Sequence, residues 1–175
     1  MFLLINGSFG IGKTTVANLL ARSVPGAVIY DPERVGFVLR RLPAWTLGLS
    51  QQPPDYQDLA IWRRLIAGGA RRKHRRAHLV MVPMAFTNLA YLDGFAQALS
   101  TTAPVHRVCL IAPLAVVRER LTERANSEGR DITEFEFRRS QECVVAHRDL
   151  RFGVPIDATK EPAEIVADIR KELGL

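Results

Sequence analysis

Gly7-Ser8-Phe9-Gly10-Ile11-Gly12-Lys13-Thr14, followed by Thr15, has the spacing G-x-x-x-x-G-K-[ST]. Glycines in such a run let consecutive backbone N–H groups turn toward a phosphate, and a helix starting at its end adds positive potential. Lys13 would then reach the outer phosphates of a nucleotide, and the Thr14 hydroxyl would ligate Mg²⁺. The plain alternative is a Gly-rich turn that only joins a strand to a helix. Against it stands the context: an apolar strand precedes the run and a helical pattern follows.

Two further sets of residues suit the same chemistry. Asp31 and Glu33 follow directly on an apolar run, where ligands of open α/β sheets gather. An Asp there can hold the water shell of Mg²⁺ or take a proton from an attacking hydroxyl, and it can also cap the helix that follows. The run Leu79–Val82 ends instead in Pro83-Met84, without the acid that larger nucleotide-hydrolysing proteins place there. Farther on, Arg118, Arg120, Arg124 and Arg130 surround a polar stretch containing Gly129. Arginine forks neutralise a transferring phosphoryl group, so a lid carrying Arg124 and Arg130 is expected, with Arg120 in reserve. Glu119, Glu123, Glu128 and Asp131 lie among them, which also fits a salt-bridged surface helix.

The elements that must position these residues follow from the apolar pattern. Short apolar runs at 2–6, 27–30, 79–82, 105–111 and 154–156 read as strands, the last a short one. Helical spacing covers 13–23, 33–42, 56–77, 89–99, 114–124, 134–149 and 162–173, with Asp31 as N-cap and Pro32 at the first turn of the second helix. Residues 125–134 read as a polar loop. Fully apolar strands alternating with helices predict a three-layer α/β fold: a mostly five-stranded parallel sheet covered on both faces, in one domain. Within it, residues 120–136 would carry the lid, and residues 32–78 are a long insertion between the second and third strands, which in the small-molecule kinases this pattern resembles is the acceptor side.

Composition bounds the rest. The chain has 175 residues, 47% of them hydrophobic and 24% charged, which suits one globular domain and excludes disordered and disulfide-scaffold classes. Its net charge is +6, but between Asp58 and Asp93 seven Arg and Lys meet no acid; without these seven, 17 basic residues face 18 acidic ones. The run Arg71–Arg76 lacks the interleaved aromatics of a nucleic-acid footprint. It reads first as a solvated helix C-terminus opposing the helix dipole, next as a surface for anionic substrates or lipid headgroups, and last as the contact of a nucleic-acid-associated P-loop protein. The short apolar start fits neither a signal sequence nor a membrane span, so the cytoplasm is expected. His74 and His78 lack a third metal ligand, and His106 and His147 have no evident partner; Cys109 and Cys143 carry no sign of reactivity.

Taken together, these features resemble the small-molecule kinase branch of P-loop proteins, with shikimate, gluconate and nucleoside-monophosphate kinases and chloramphenicol phosphotransferase. Asp31-Pro32-Glu33 is similar to the acidic motif after the second strand of shikimate kinases. Arg124 resembles their adenine-stacking arginine and Arg130 their lid arginine, while Ile156–Thr159 resembles the segment beside the adenine. More specific blocks are Ile5-Asn6-Gly7, Tyr30-Asp31-Pro32-Glu33 with Gly36-Phe37 and Leu39-Arg40, Trp62-Arg63, and Val82-Pro83-Met84. These resemble the tunicamycin-resistance ATP-binding proteins over roughly residues 1–130.

The resemblance implies ATP and Mg²⁺ as cofactors, with Thr159 near the nucleotide. The partner would be a small-molecule acceptor such as a nucleoside antibiotic, either phosphorylated or only held. Acceptor contacts would come from Asp31, Glu33, Phe37, Arg40, Trp62 and Met84, although Phe37 and Trp62 at helical spacing also fit core positions. Some family members carry a basic amphipathic C-terminal helix suited to membrane attachment; residues 162–173 lack that character.

Overall fold

The computed structural model describes residues 1–175. Five parallel strands form one sheet: β1 (Phe2–Gly7), β2 (Ala27–Ile29), β3 (Leu79–Met84), β4 (Val105–Ile111) and β5 (Val154–Asp157), in the order β2-β3-β1-β4-β5. Seven helices connect and cover them: α1 (Lys13–Ser23), α2 (Glu33–Arg40), α3 (Ala60–His74), α4 (Leu89–Ser100), α5 (Leu114–Ser127), α6 (Glu134–Ala146) and α7 (Pro162–Leu173). The three-layer α/β architecture expected from the sequence is the one found. No helix is long and apolar enough to cross a membrane.

The continuous apolar run of β1 has a direct cause in the pleat, which sends alternate side chains to opposite faces. Phe2 and Leu4 enter a core shared with α3 and α4, where Trp62, Ile66 and Leu99 are buried. Leu3 and Ile5 enter a second core with Val16 and Leu20 of α1 and Ile165 and Ile169 of α7. Pro83 sits inside β3 without breaking the ladder. Tyr30 N–H donates to the Met81 carbonyl, so odd positions of β3 face β2. Pairing with β2 ends at Met81, leaving no partner for the N–H that Pro83 lacks.

Among the element boundaries that differ from the sequence reading, such as β3 running on to Met84 and α2 stopping at Arg40, three have a visible cause or consequence near the site. The helix expected over 56–77 is a 3₁₀ turn at Tyr56–Asp58 followed by α3, because Asp55 accepts the Gln57 N–H and closes a separate turn. Helix α5 continues to Ser127, which shortens the polar loop to 128–133. The N-cap of α2 is Pro32 rather than Asp31, yet Asp31 Oδ1 still accepts the Glu33 N–H at 2.9 Å. The capping interaction survives one residue outside the assigned cap.

Candidate active site

The carboxyl ends of β1, β2 and β3 open into a cleft of about 1060 Å³. Its floor is the loop from Phe9 to Thr15. Gly10 and Gly12 have φ of 74° and 99°, a left-handed conformation that L side chains rarely adopt. Gly10 is constrained twice, since a Cβ there would lie 2.6 Å from Leu121 Cγ. Helix α1 begins at Lys13 with no side-chain cap and no acid in its first turn, so its leading N–H groups lack a side-chain acceptor. That arrangement fits an anionic ligand at this end of α1.

Lys13 donates to the carbonyls of Gly7 at 3.0 Å and Ser8 at 2.6 Å. Burial lowers its pKa, with Glu33 acting in opposition. Gly7 and Ser8 themselves lie outside the cleft lining; Ser8 is buried and its hydroxyl donates to the Ser140 carbonyl of α6. Thr14 and Thr15 are exposed within the cleft, so the Thr14 hydroxyl is free to ligate a cation. Asp31 and Glu33 both line it. Burial raises the Glu33 pKa, and Asp31 adds to this while Lys13 counters it.

The cleft is strongly cationic. Lys13, Arg34, Lys73, Arg120, Arg124 and Lys160 line it, against Asp31 and Glu33 alone. Arg34 and Lys160 carry no motif in the sequence, and Lys73 belongs to the basic run Arg71–Arg76; they reach the cleft because α2, α3 and the turn after β5 meet there. Arg120, the reserve among the arginines, braces the phosphate loop: its Nη1 donates to Ala158 O at 2.7 Å and Ile11 O at 3.3 Å.

The two lid arginines separate. Arg124 lines the cleft while pairing with Glu136 and lying 3.7 Å from Glu128. Arg130 stands outside it, bound to Glu128 at 2.6 Å and to both oxygens of Glu136 at 2.8 and 3.0 Å. Glu136 is held by the Arg130 hydrogen bonds well below the usual carboxylate range, at about 2, with help from Thr133. Its position is set by a capping box with Thr133 at the start of α6. The Thr-x-x-Glu spacing carried that signal in the sequence.

Several expected acceptor residues are placed elsewhere. Trp62 is fully buried in the core, its Nε1 donating to Pro32 O at 3.1 Å; that bond fixes the segment leading into Glu33 without exposing the ring. Met84 is buried in the same core, because the pleat turns Pro83 to the cleft instead. Phe37 and Arg40 lie outside the cleft. Phe37 meets Tyr56 edge-on, and Arg40 bonds the Pro54 carbonyl and stacks over Tyr56 and Phe135. Thr159 also lies outside, folded onto Asp157 through its amide and hydroxyl at 2.9 and 2.7 Å, and Lys160 takes its place in the lining.

Two buried polar clusters support the site. Asn6, at the end of β1, clasps the Phe86 backbone, accepting its N–H at 2.9 Å and donating to its carbonyl at 3.2 Å. His147 Nε2 lies 2.8 Å from that carbonyl and 3.0 Å from Asn6 Nδ2. Burial lowers the His147 pKa to about 4. Arg139 of α6 reaches Asp55 at 3.1 Å, Glu142 at 2.9 Å and the Thr87 hydroxyl at 2.9 Å, tying α6 to the segments after α2 and β3. Cys109 and Cys143 are buried, and burial pushes the Cys109 thiol up to about 12, so both are packing groups at neutral pH.

Residues 2–144 match the family model of the AAA domain. The chain belongs to the AAA domain family. No curated protein matches it. Among solved structures it is similar to the tunicamycin resistance protein of Deinococcus radiodurans, at 26% identity and a TM-score of 0.76, covering 99% of this chain and 96% of that one. A gluconokinase from Sinorhizobium meliloti 1021 shares 19% identity and a TM-score of 0.65, over 98% and 94%. A shikimate kinase from Aquifex aeolicus shares 19% identity and a TM-score of 0.56, over 99% and 96%. The fold is thus that of P-loop small-molecule kinases, as the sequence motifs implied.

Proposed function

We propose that this protein is an ATP- and Mg²⁺-dependent phosphotransferase acting on a hydroxyl of a small molecule, and that the acceptor is tunicamycin or a similar nucleoside antibiotic. The observation that carries this reading is the joining of a phosphate-binding loop and two carboxylates in one cationic cleft. Lys13 and the loop amides would hold the phosphates, the Thr14 hydroxyl would ligate Mg²⁺, and Arg120 and Arg124 would supply positive charge from α5. Mg²⁺ bound with the nucleotide would neutralise phosphate charge. Asp31 forms its hydrogen bond within the chain through Oδ1, leaving Oδ2 to meet metal-bound water or the acceptor hydroxyl. Residues 32–78 serve as the acceptor side.

The protein, ATP, Mg²⁺ and tunicamycin are incubated together, and the drug is analysed by mass spectrometry. A gain of one phosphate is expected; unmodified drug alongside measurable binding overturns the proposal. That second outcome belongs to an alternative, binding without transfer, which is favoured by one observation: the neighbour at 26% identity is described as a resistance protein and not as a kinase. Asp31→Asn separates them. Resistance in cells collapses with this variant under catalysis and persists under sequestration, once the variant is shown to fold and bind.

A further inference from the structure

Helix α2 buries Gly36 and Leu39 and turns an unusual face outward. Arg34, Phe37, Val38, Arg41 and Leu42 recur at i, i+3, i+4, i+7 and i+8, one stripe along the helix and its C-terminal end; Pro43, with ψ of 141°, then ends the helical path, and Trp45 follows in a 3₁₀ turn (Ala44–Leu47). The apolar members are open to solvent: Trp45 is 77% exposed, Val38 60% and Phe37 55%. Scattered exposed apolar residues are ordinary, but three on one stripe with cations between them, followed by an exposed tryptophan, are not. Helix α3 packs against α2 and repeats the pattern, with Ile61 and Leu65 exposed beside Arg64 and followed by Arg71, Arg72 and Arg75.

The charges decide what this face can meet. No acid occurs from Arg34 to Pro54, and none of these arginines takes part in an ion pair. A second copy docking through the same face would set arginine against arginine with no acid to pair. Nucleic acid would engage the cations but give Val38, Leu42, Ile61 and Leu65 nothing to bury against. An anionic bilayer satisfies both parts, since headgroups take the guanidinium groups while the apolar side chains and the indole enter the interface. We propose that the outward face of α2, continued through Trp45, docks this protein on an anionic lipid membrane. Because Arg34 and Val35 also line the cleft, docking would bring the cleft rim to the bilayer.

The chain carries its own reporter. Of its two tryptophans, Trp62 is buried and hydrogen-bonded, so a change in tryptophan emission reads Trp45. The full chain is mixed with vesicles of phosphatidylcholine alone, or of phosphatidylcholine and phosphatidylglycerol in equal parts. Co-sedimentation is expected to be about tenfold stronger on the anionic vesicles, with a blue shift of Trp45 emission. The double substitution Val38→Ser and Trp45→Ser is expected to weaken partitioning by about tenfold with little change in Tm, both side chains being exposed. Arg71, Arg72, Arg75 and Arg76 changed together to Ser give the contrasting variant. The proposal is overturned by vesicle binding that vanishes in this variant but survives loss of Val38 and Trp45. It is equally overturned by an unshifted Trp45 on anionic vesicles, by the same shift on duplex DNA, or by a shift from self-association without lipid.

Discussion

Acidification from pH 7 to pH 5 should weaken the fold chiefly through His147. Its imidazole is buried between Asn6, the Phe86 backbone and the Phe152 ring, and burial lowers its pKa from 6.5 to about 4. The unfolded chain therefore binds a proton that the folded chain refuses. The stability contribution is full above pH 6.5, falls as the pH drops below that value, and levels off below about 4. At pH 5 the gap of 1.5 units corresponds to a loss of about 2 kcal/mol, or roughly 4–8 °C in Tm for a chain of this size. Glu136, held at about 2, adds its own loss only as the pH falls through the range below 4.5, so it contributes little at pH 5. His74 is also lowered, by burial and then by the N-terminal amine, and Glu33 is raised and acts with the opposite sign. Both remain in His147→Gln, so the difference between wild type and variant isolates His147. Denaturant unfolding at the two pH values should show a slope in the wild type that the variant largely loses. Equal slopes in the two proteins refute the reasoning. If the variant does not fold, NMR titration of the wild type decides: an imidazole that protonates near pH 6.5 refutes it as well.

Adjacent glycines of α3 should respond in opposite directions. Gly68→Ala meets open space and should stabilise by about 0.5–1 kcal/mol, whereas Gly69→Ala places a Cβ 2.2 Å from the Tyr30 hydroxyl and should destabilise; thermal melts that rank the two alike count against the packing described. In the phosphate loop, Gly10→Ala combines a φ of 74° with a Cβ 2.6 Å from Leu121 Cγ, so a loss of at least ~1–2 kcal/mol and weaker ATP binding by calorimetry are expected. Arg120→Met removes the brace between Ile11 and Ala158 and should lower both Tm and ATP affinity, an effect of about 2 kcal/mol on stability; unchanged values for both would show the brace to be idle.

Much of the fold was legible because its signals are local. A run such as Phe2–Ile5, apolar at every position, has only one economical use, a strand covered on both sides, and the sheet supplies the two cores it needs. Ends set by side-chain bonds were harder to read. Asp55 could be recognised as a turn former only once its oxygen was seen to accept the Gln57 N–H, which is why α3 starts at Ala60 and not at Tyr56. Pro83 was read as the end of β3, yet it sits where β2 has already run out and an absent N–H costs nothing.

The site was legible where one segment builds it and obscure where distant segments meet. From Phe9 to Thr14 the loop writes its own geometry in glycines, so spacing alone located the floor of the cleft. Residue type could not say which aromatic or arginine faces that cleft, since this depends on the phase of each helix against its neighbour. Trp62 faces the core because it shares a face of α3 with Ile66 and Ala70, both buried, while Arg64 on the opposite side is exposed. Arg124 and Arg130 show the same dependence through charge. Six residues apart, they converge on one carboxylate, Glu136, whose position is fixed by Thr133 at the start of another helix. Bringing Arg130 to a phosphate in the cleft therefore requires exchanging Glu136 and Glu128 for the new anion, while Arg124 already stands at the cleft and would give up only its contacts to the same two carboxylates.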